Sequence, residues 1–359
     1  GFEPASLNLS RLRLRTGQAE EAEADLRARV AAHPDQVGLR NQLVEVLLAT
    51  GRLDAAEQEA RRILKSDEQN IQAMVNLATA YHRKGRYELA RMVLENARQV
   101  APGDPVVWNH LGLVELQLGT RAQAMEQFRK AAELGESYPE AQINYGAMLV
   151  ETEAFPDAVK HLELAVKHAP RSAAAHLNLG NAYRGAKEFE KAEGAYQRAL
   201  EIDPKLAAAW VDLGLLYLDR DRFDDAITEF TFVLGSDPGN GQVRFFLGSA
   251  YEEKGAAAEA QEAFRKVPED SPVYREAMLH LALSLSRQKK HDEAIAIVRK
   301  LREKDPDDVE LMLFLGGQLE EAKRYGEALA VVSEATAKAP ANPSAWFSLG
   351  VVCDKPGML

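Results

Sequence analysis

A leucine followed by a small residue returns every 34 positions along this 359-residue chain. Stepping from Leu179-Gly180, leucine stands at Leu9, Leu43, Leu77, Leu111, Leu213, Leu247, Leu281, Leu315 and Leu349, and Tyr145 alone departs. The next residue is small in most units: Ala78, Gly112, Gly146, Gly214, Gly248, Ala282, Gly316 and Gly350, with Ser10 and Val44 as looser versions. Twelve residues beyond it an alanine recurs in all ten complete units, from Ala22 and Ala56 through to Ala294 and Ala328. Proline closes eight of the ten, and Glu68 and Glu136 close the other two. A period held from residue 3 to residue 342 without insertion describes a stack of units, each contacting only its neighbours, and not a domain with one central core.

One unit, 173–206, shows what is being stacked. Leu177, Leu179, Gly180 and Tyr183 mark a first helix that ends near "GAKE". Phe189, Ala192, Tyr196, Ala199 and Leu200 recur at three- and four-residue steps, the helical period, and mark a second. The glycine and alanine let the two axes approach, while Tyr and Phe fill the space around them. Pro204 ends the second helix, because proline lacks an N–H and clashes with the preceding turn. Such a hairpin cannot bury its apolar face alone, so stacking is forced. The expected organisation is ten hairpins starting at 3, 37, 71, 105, 139, 173, 207, 241, 275 and 309. A partial eleventh occupies 343–359 and ends at "CDKPGML" without a second helix, which is expected to mark a truncated piece of a longer chain.

The W/H-x2-L-G-x2-Y…A-x3-F/Y…P pattern strongly resembles the tetratricopeptide repeat (TPR) family, and Trp108, Trp210 and Trp346 occupy that family's aromatic slot. The resemblance implies an all-α fold, a right-handed α-solenoid of helix-turn-helix hairpins. First helices would line a concave groove and second helices would form the convex back. It does not imply one function, since a fold and its sites are separable.

Chemistry leaves no trace. The chain holds no G-x-x-x-x-G-K-[ST], no G-x-G-x-x-G after a strand, no H-E-x-x-H and no C-x-x-C, so neither a cofactor nor a catalytic residue is expected. His161 and His168 share a helix face at seven residues' spacing, but on a charged helix they are expected to be solvated, and no metal site is predicted. "DRDRFDD" at 219–225 lacks the glycine and distal glutamate of a calcium loop and is expected to be an inter-helix turn. Asn8-Leu9-Ser10 is a glycosylation triplet within a predicted helix and is expected to be incidental. The net charge of −11 argues against nucleic acid or an anionic membrane as the main partner. No apolar run approaches 18 residues, so direct membrane insertion is not expected. One cysteine, Cys353, rules out an internal disulfide and leaves cytoplasm and periplasm equally open.

Function is therefore expected on the first helices, at the two positions before the Leu-Gly pair and the first, fourth and fifth beyond it. The residue just before the leucine runs Asn8, Gln42, Asn76, His110, Asn144, Asn178 and Asp212. A row of amides offers donors and acceptors to any peptide backbone, and it resembles the asparagine ladder in the TPR superhelix of the O-GlcNAc transferase family. The carboxylate clamp of chaperone-binding TPR domains is absent, because Leu177 stands where its lysine belongs and Asp212 would repel a carboxylate. From residue 241 onward the same slots turn aromatic and apolar: Phe245 and Phe246, Leu279 and His280, Leu313 and Phe314, Phe347 and Ser348. Glu252, Glu253, Glu276, Glu310, Glu320 and Glu321 rim them, with Arg287 the exception, whereas Arg11, Arg15, Arg40 and Arg83 make the amino-terminal part basic.

The expected function is a non-catalytic scaffold holding a protein or peptide, apolar with basic flanks, with Phe245 and Phe246 the best anchor; the Ala/Arg/Glu/Leu-rich repeats suit a complex in a GC-rich bacterium. Two other readings stand beside it: the substrate-targeting arm of a larger enzyme such as a glycosyltransferase, and a self-associating envelope or motility scaffold.

Overall fold

The computed structural model describes residues 18–356. The predicted first helix of the opening repeat, with Asn8, Ser10, Arg11 and Arg15, lies outside the described residues. Twenty α-helices and no strand are found among the described residues. They pack as two compact units, Gly1–Ile202 and Asp203–Leu359. The first contains α1 (Ala19–Ala32), α2 (Val37–Ala49), α3 (Leu53–Ser66), α4 (Ile71–Arg83), α5 (Tyr87–Val100), α6 (Pro105–Gln117), α7 (Arg121–Leu134), α8 (Pro139–Glu151), α9 (Phe155–His168), α10 (Ala173–Gly185) and α11 (Phe189–Ile202). The second contains α12 (Ala207–Asp219), α13 (Phe223–Ser236), α14 (Gly241–Glu253), α15 (Ala257–Arg265), α16 (Tyr274–Arg287), α17 (His291–Lys304), α18 (Val309–Glu321), α19 (Tyr325–Lys338) and α20 (Pro343–Cys353). Each unit is an α-solenoid of helix-turn-helix hairpins.

Short-range chemistry delimits these helices. Asn70, Asp104, Ser172, Asn240, Asp308 and Asn342 each accept a hydrogen bond from a backbone N–H in the first turn of the first helix that follows, filling the donors a helix start leaves open. Between the two helices of a hairpin one residue adopts the left-handed conformation, and it too recurs every 34 residues: Gly51, Gly85, Glu153, Lys187, Asp221 and Lys289 are among these positions. Asp221, in the acidic "DRDRFDD" segment, is thus a turn residue with φ +57°.

Within a hairpin the small residue sets the axis separation. A Cβ on Gly112 would stand 2.5 Å from Phe128 Cε1, and one on Gly248 the same distance from Phe264 Cε1. The ten recurring alanines are all at most 1% exposed, so the second helix presents no bulk where the first crosses it.

Proline has a second use that the sequence pattern does not announce. Among the described residues its carbonyl, six times over, is met by a side-chain nitrogen six residues on. Trp108, Trp210 and Trp346 donate Nε1–H to Pro102, Pro204 and Pro340 at 2.8, 3.0 and 2.9 Å. Arg40 Nε donates to Pro34 at 3.0 Å, Arg244 donates to Pro238, and His176 Nε2 lies 3.2 Å from the Pro170 oxygen. The aromatic slot is therefore a donor slot, which is why arginine and histidine can stand in it.

One element departs from the expected register. α15 has 9 residues where the other second helices have 14. Pro268 explains this: it cannot donate to the ladder, so the helix stops at Arg265 and residues 266–273 run as turns.

Candidate interaction surface on the first helices

On α14, α16 and α18 of the second unit, a set of solvent-reaching residues falls on one stripe at steps of four, three and four. They are Gln242, Phe246, Ser249 and Glu253 on α14, then Glu276, His280, Leu283 and Arg287 on α16, then Glu310, Phe314, Gly317 and Glu321 on α18. That spacing keeps side chains on one helix face. Phe246 and Phe314 are half-buried, and both pack on the apolar core of the unit. Carboxylates outnumber cations along the stripe, with Arg287 set against Glu253, Glu276, Glu310 and Glu321.

Two of the five predicted groove positions turn inward instead. The second residue before the Leu-Gly pair lies under the next repeat: Phe245 is 9% exposed, with ring centroids 5.6 Å from His280 and 5.8 Å from Phe264. Phe245 is core, not groove, because neighbouring first helices stack with an offset of 35 residues, not 34. Leu279 is half-buried against the same core. The fourth residue beyond the pair follows the same rule. Glu252 accepts from His280 Nδ1 at 2.8 Å and from Arg287 at 3.4 Å, Ser286 donates to Glu321, and Lys355 pairs with Glu320 at 2.5 Å. Glu252 is thus a clasp between repeats, while Glu253, one residue on, is exposed.

The amide row in the first unit is partly internal for the same reason. Asn76 is 4% exposed; it donates to Asn41 Oδ1 at 3.3 Å and accepts from Gln72. Asn144 is half-buried and donates to Asn109 at 2.8 Å. Asn178 is half-buried and donates to the Ala174 carbonyl of its own helix at 2.9 Å. In the second unit, Asp212 on α12 is half-buried and has a polar partner. The expected groove ladder is corrected at Asn76, whose amide is engaged within the fold. Asn41, the partner of Asn76, and Asn109, the partner of Asn144, sit one register off the row and so do not show in its 34-residue period. Arg40 is also corrected: it bonds Pro34 and Glu59 between α2 and α3 and does not contribute to a basic inner face.

Burial acts on the one histidine in the row. His110 is pushed down to about 4, first by loss of water and then by the nearby His82 ring, with Asp104 opposing. His161 is also lowered by burial, and its Nδ1 lies 2.7 Å from Gln142 Oε1. No cluster of three or more metal-ligating side chains exists among the described residues, and none of their helices is long and apolar enough to cross a membrane.

These hairpins, with their left-handed turn and their glycine-to-aromatic crossing, define a helical repeat protein of the α-solenoid class. Sequence profiles of the tetratricopeptide repeat match residues 13–73, 47–114, 106–137, 173–206, 211–274, 257–309 and 285–350. The chain belongs to the tetratricopeptide repeat family. It is 29% identical over 184 residues to the type IV pilus assembly protein PilF of Pseudomonas aeruginosa, covering 51% of this chain and 72% of PilF. It is 25% identical over 187 residues to the human protein O-mannosyl-transferase TMTC1, covering 51% of this chain but 21% of that protein. Among solved structures, PilW, a type IV pilus biogenesis factor, superposes with a TM-score of 0.54 at 20% identity, over 58% of this chain and 99% of PilW. That likeness is one of fold.

Proposed function

We propose that this protein is a non-catalytic interaction scaffold of a type IV pilus assembly system, and that it receives a partner segment on the inner stripe of α14, α16 and α18. The observation that carries the site is the pairing of half-exposed Phe246 and Phe314, in one slot two repeats apart, with Glu253, Glu276, Glu310 and Glu321 around them. Apolar side chains of a partner would cover the rings, each returning about 1.5–3 kcal/mol on full burial, and flanking Lys or Arg would meet the carboxylates. Phe245, Leu279 and Glu252 support this surface from beneath. Asn144, Asn178 and Asp212 offer polar contacts on their own first helices. The pilus assignment rests on the likeness to PilF.

A photo-crosslinking residue at Leu283, in the middle of the stripe, tests this in the native host. A crosslinked pilus-assembly protein is expected, with affinity at least tenfold lower in Phe246→Ala/Phe314→Ala and unchanged helical circular dichroism. Tenfold corresponds to about 1.4 kcal/mol. Unchanged crosslinking in a folded double variant sinks the site. The likeness to TMTC1 favours a second reading, in which the repeats present substrates to a glycosyltransferase. Capture of glycosylated polypeptides in place of pilus components would support it.

A further inference from the structure

The series of donors onto proline carbonyls fails at one place where the fold also leaves a hole. Six residues after Pro272 stands Met278, a thioether with no donor, and no hydrogen bond of the described residues reaches the Pro272 carbonyl. A cavity of about 360 Å³ lies between α15, α16 and α17, within the size range of small-molecule sites, about 300–1,000 Å³. Met278, Leu281, Ala296, Ile297 and Leu301 line it, with Tyr274 at one end. A second cavity of about 210 Å³ shares Tyr274 and Leu301 and is lined by Pro272 itself.

The same chain shows what belongs in this place. The Trp210 ring lies 4.6 Å from Phe232, whose counterpart two repeats on is Lys300, at the cavity's edge. The Trp108 ring lies 5.4 Å from the Arg98 guanidinium, and the counterpart of Arg98 is Pro268, where α15 has been cut short. An indole in register with residue 278 would occupy the cavity. The charged groups at the rim are engaged with one another: Arg265 pairs with Glu293 at 3.2 Å, and Lys300 and Lys304 share Glu269. Two equivalent places are closed to such a guest. A cavity of about 400 Å³ in the first unit is lined by Arg40, Glu59 and Arg62, and Arg40 already occupies the Pro34 carbonyl. At Met312 the Pro306 carbonyl is taken by Lys338 Nζ at 3.2 Å.

We propose that the cavity between α15 and α17 is a docking site for an indole, a tryptophan side chain supplied by a partner polypeptide, with its N–H directed to the Pro272 carbonyl. Tryptophan suits such a role because it combines a large apolar face with one donor that needs a partner when buried. The site is lined by Tyr274, Met278 and Leu281 of α16 and by α17, none of them on the inner stripe, and does not depend on what that stripe binds.

Ligand-observed NMR titration of the full chain with N-acetyl-L-tryptophanamide tests this. Saturable millimolar-range binding is expected, at least fivefold tighter than that of N-acetyl-L-phenylalaninamide. Met278→Trp, which supplies the indole from within, should abolish binding and raise Tm. Ala296→Phe, at an exposed position on the rim, should block binding without touching the core, so the test survives if Met278→Trp misfolds. Phe246→Ala should leave binding unchanged. Absence of saturable binding, or binding that persists in Ala296→Phe, overturns the site. Equal affinity for the phenylalanine probe overturns the donor to Pro272. Tighter binding of free zwitterionic tryptophan than of the amide overturns the polypeptide source.

Discussion

His110 stands in the slot where four other repeats of the first unit hold asparagine, and its ring is held neutral. Its folded value of about 4 lies below the ordinary 6.5, so below pH 6.5 the unfolded chain takes up a proton that the folded chain refuses. Stability from this group is therefore complete above 6.5 and is lost as pH falls from 6.5 to 4, by an amount on the order of 2 kcal/mol. Carboxylates titrate in the same window, so the contribution must be isolated by difference. Replacing His110 by Asn should flatten the fall in denaturant midpoint between pH 6.5 and 4 relative to the wild type; parallel curves would show that the ring is not held neutral. A second residue-scale test concerns the amide pair. Asn41→Ala and Asn76→Ala should each destabilise the fold, and their double-mutant cycle should show a coupling of about 1 kcal/mol. A coupling of zero would return Asn76 to the ligand surface.

At the scale of the element, the hairpin's width is fixed by one pair of positions sixteen residues apart. An alanine at Gly248 drives a methyl group into Phe264, 2.5 Å away, and should cost about 1–3 kcal/mol as overpacking. The same slots hold Ala282 with Val298 two helices on, both fully buried. Gly248→Ala/Phe264→Val should therefore be more stable than the sum of the single changes by about 1 kcal/mol, measured as urea midpoints; simple additivity would mean the ring moves aside freely. This crossing was legible in the sequence, because it lies within one period and involves positions that recur at 34. The pairing of neighbouring first helices was not. It joins Asn41 to Asn76 and Phe245 to His280 at a spacing of 35, so identical slots never meet, and a reading that assigns roles slot by slot exposes residues that the next repeat covers. Pro268 and the missing donor at Met278 were visible as letters. Their meaning depended on the proline carbonyl, which has no letter of its own.

At the scale of the whole molecule, stacked repeats pass stability only to their neighbours, so damage should be local. Hydrogen exchange on Gly248→Ala makes this measurable. Amides of α14, α15, α16 and α17, whose buried residues belong to one apolar cluster with Phe245 and Phe264, should lose protection by tenfold or more. Amides of α4 to α7 should keep theirs, because their core residues, Leu77, Leu94, Leu111 and Phe128 among them, belong to separate apolar clusters. Uniform loss of protection from α1 to α20 would instead describe one cooperative core. The distinction bears on function. If opening is local, the second unit can loosen its aromatic stripe and its indole cavity to admit a partner while the first unit stays folded. Partner binding should then restore protection at α14 to α17 in the variant and leave the exchange of α4 to α7 unmoved.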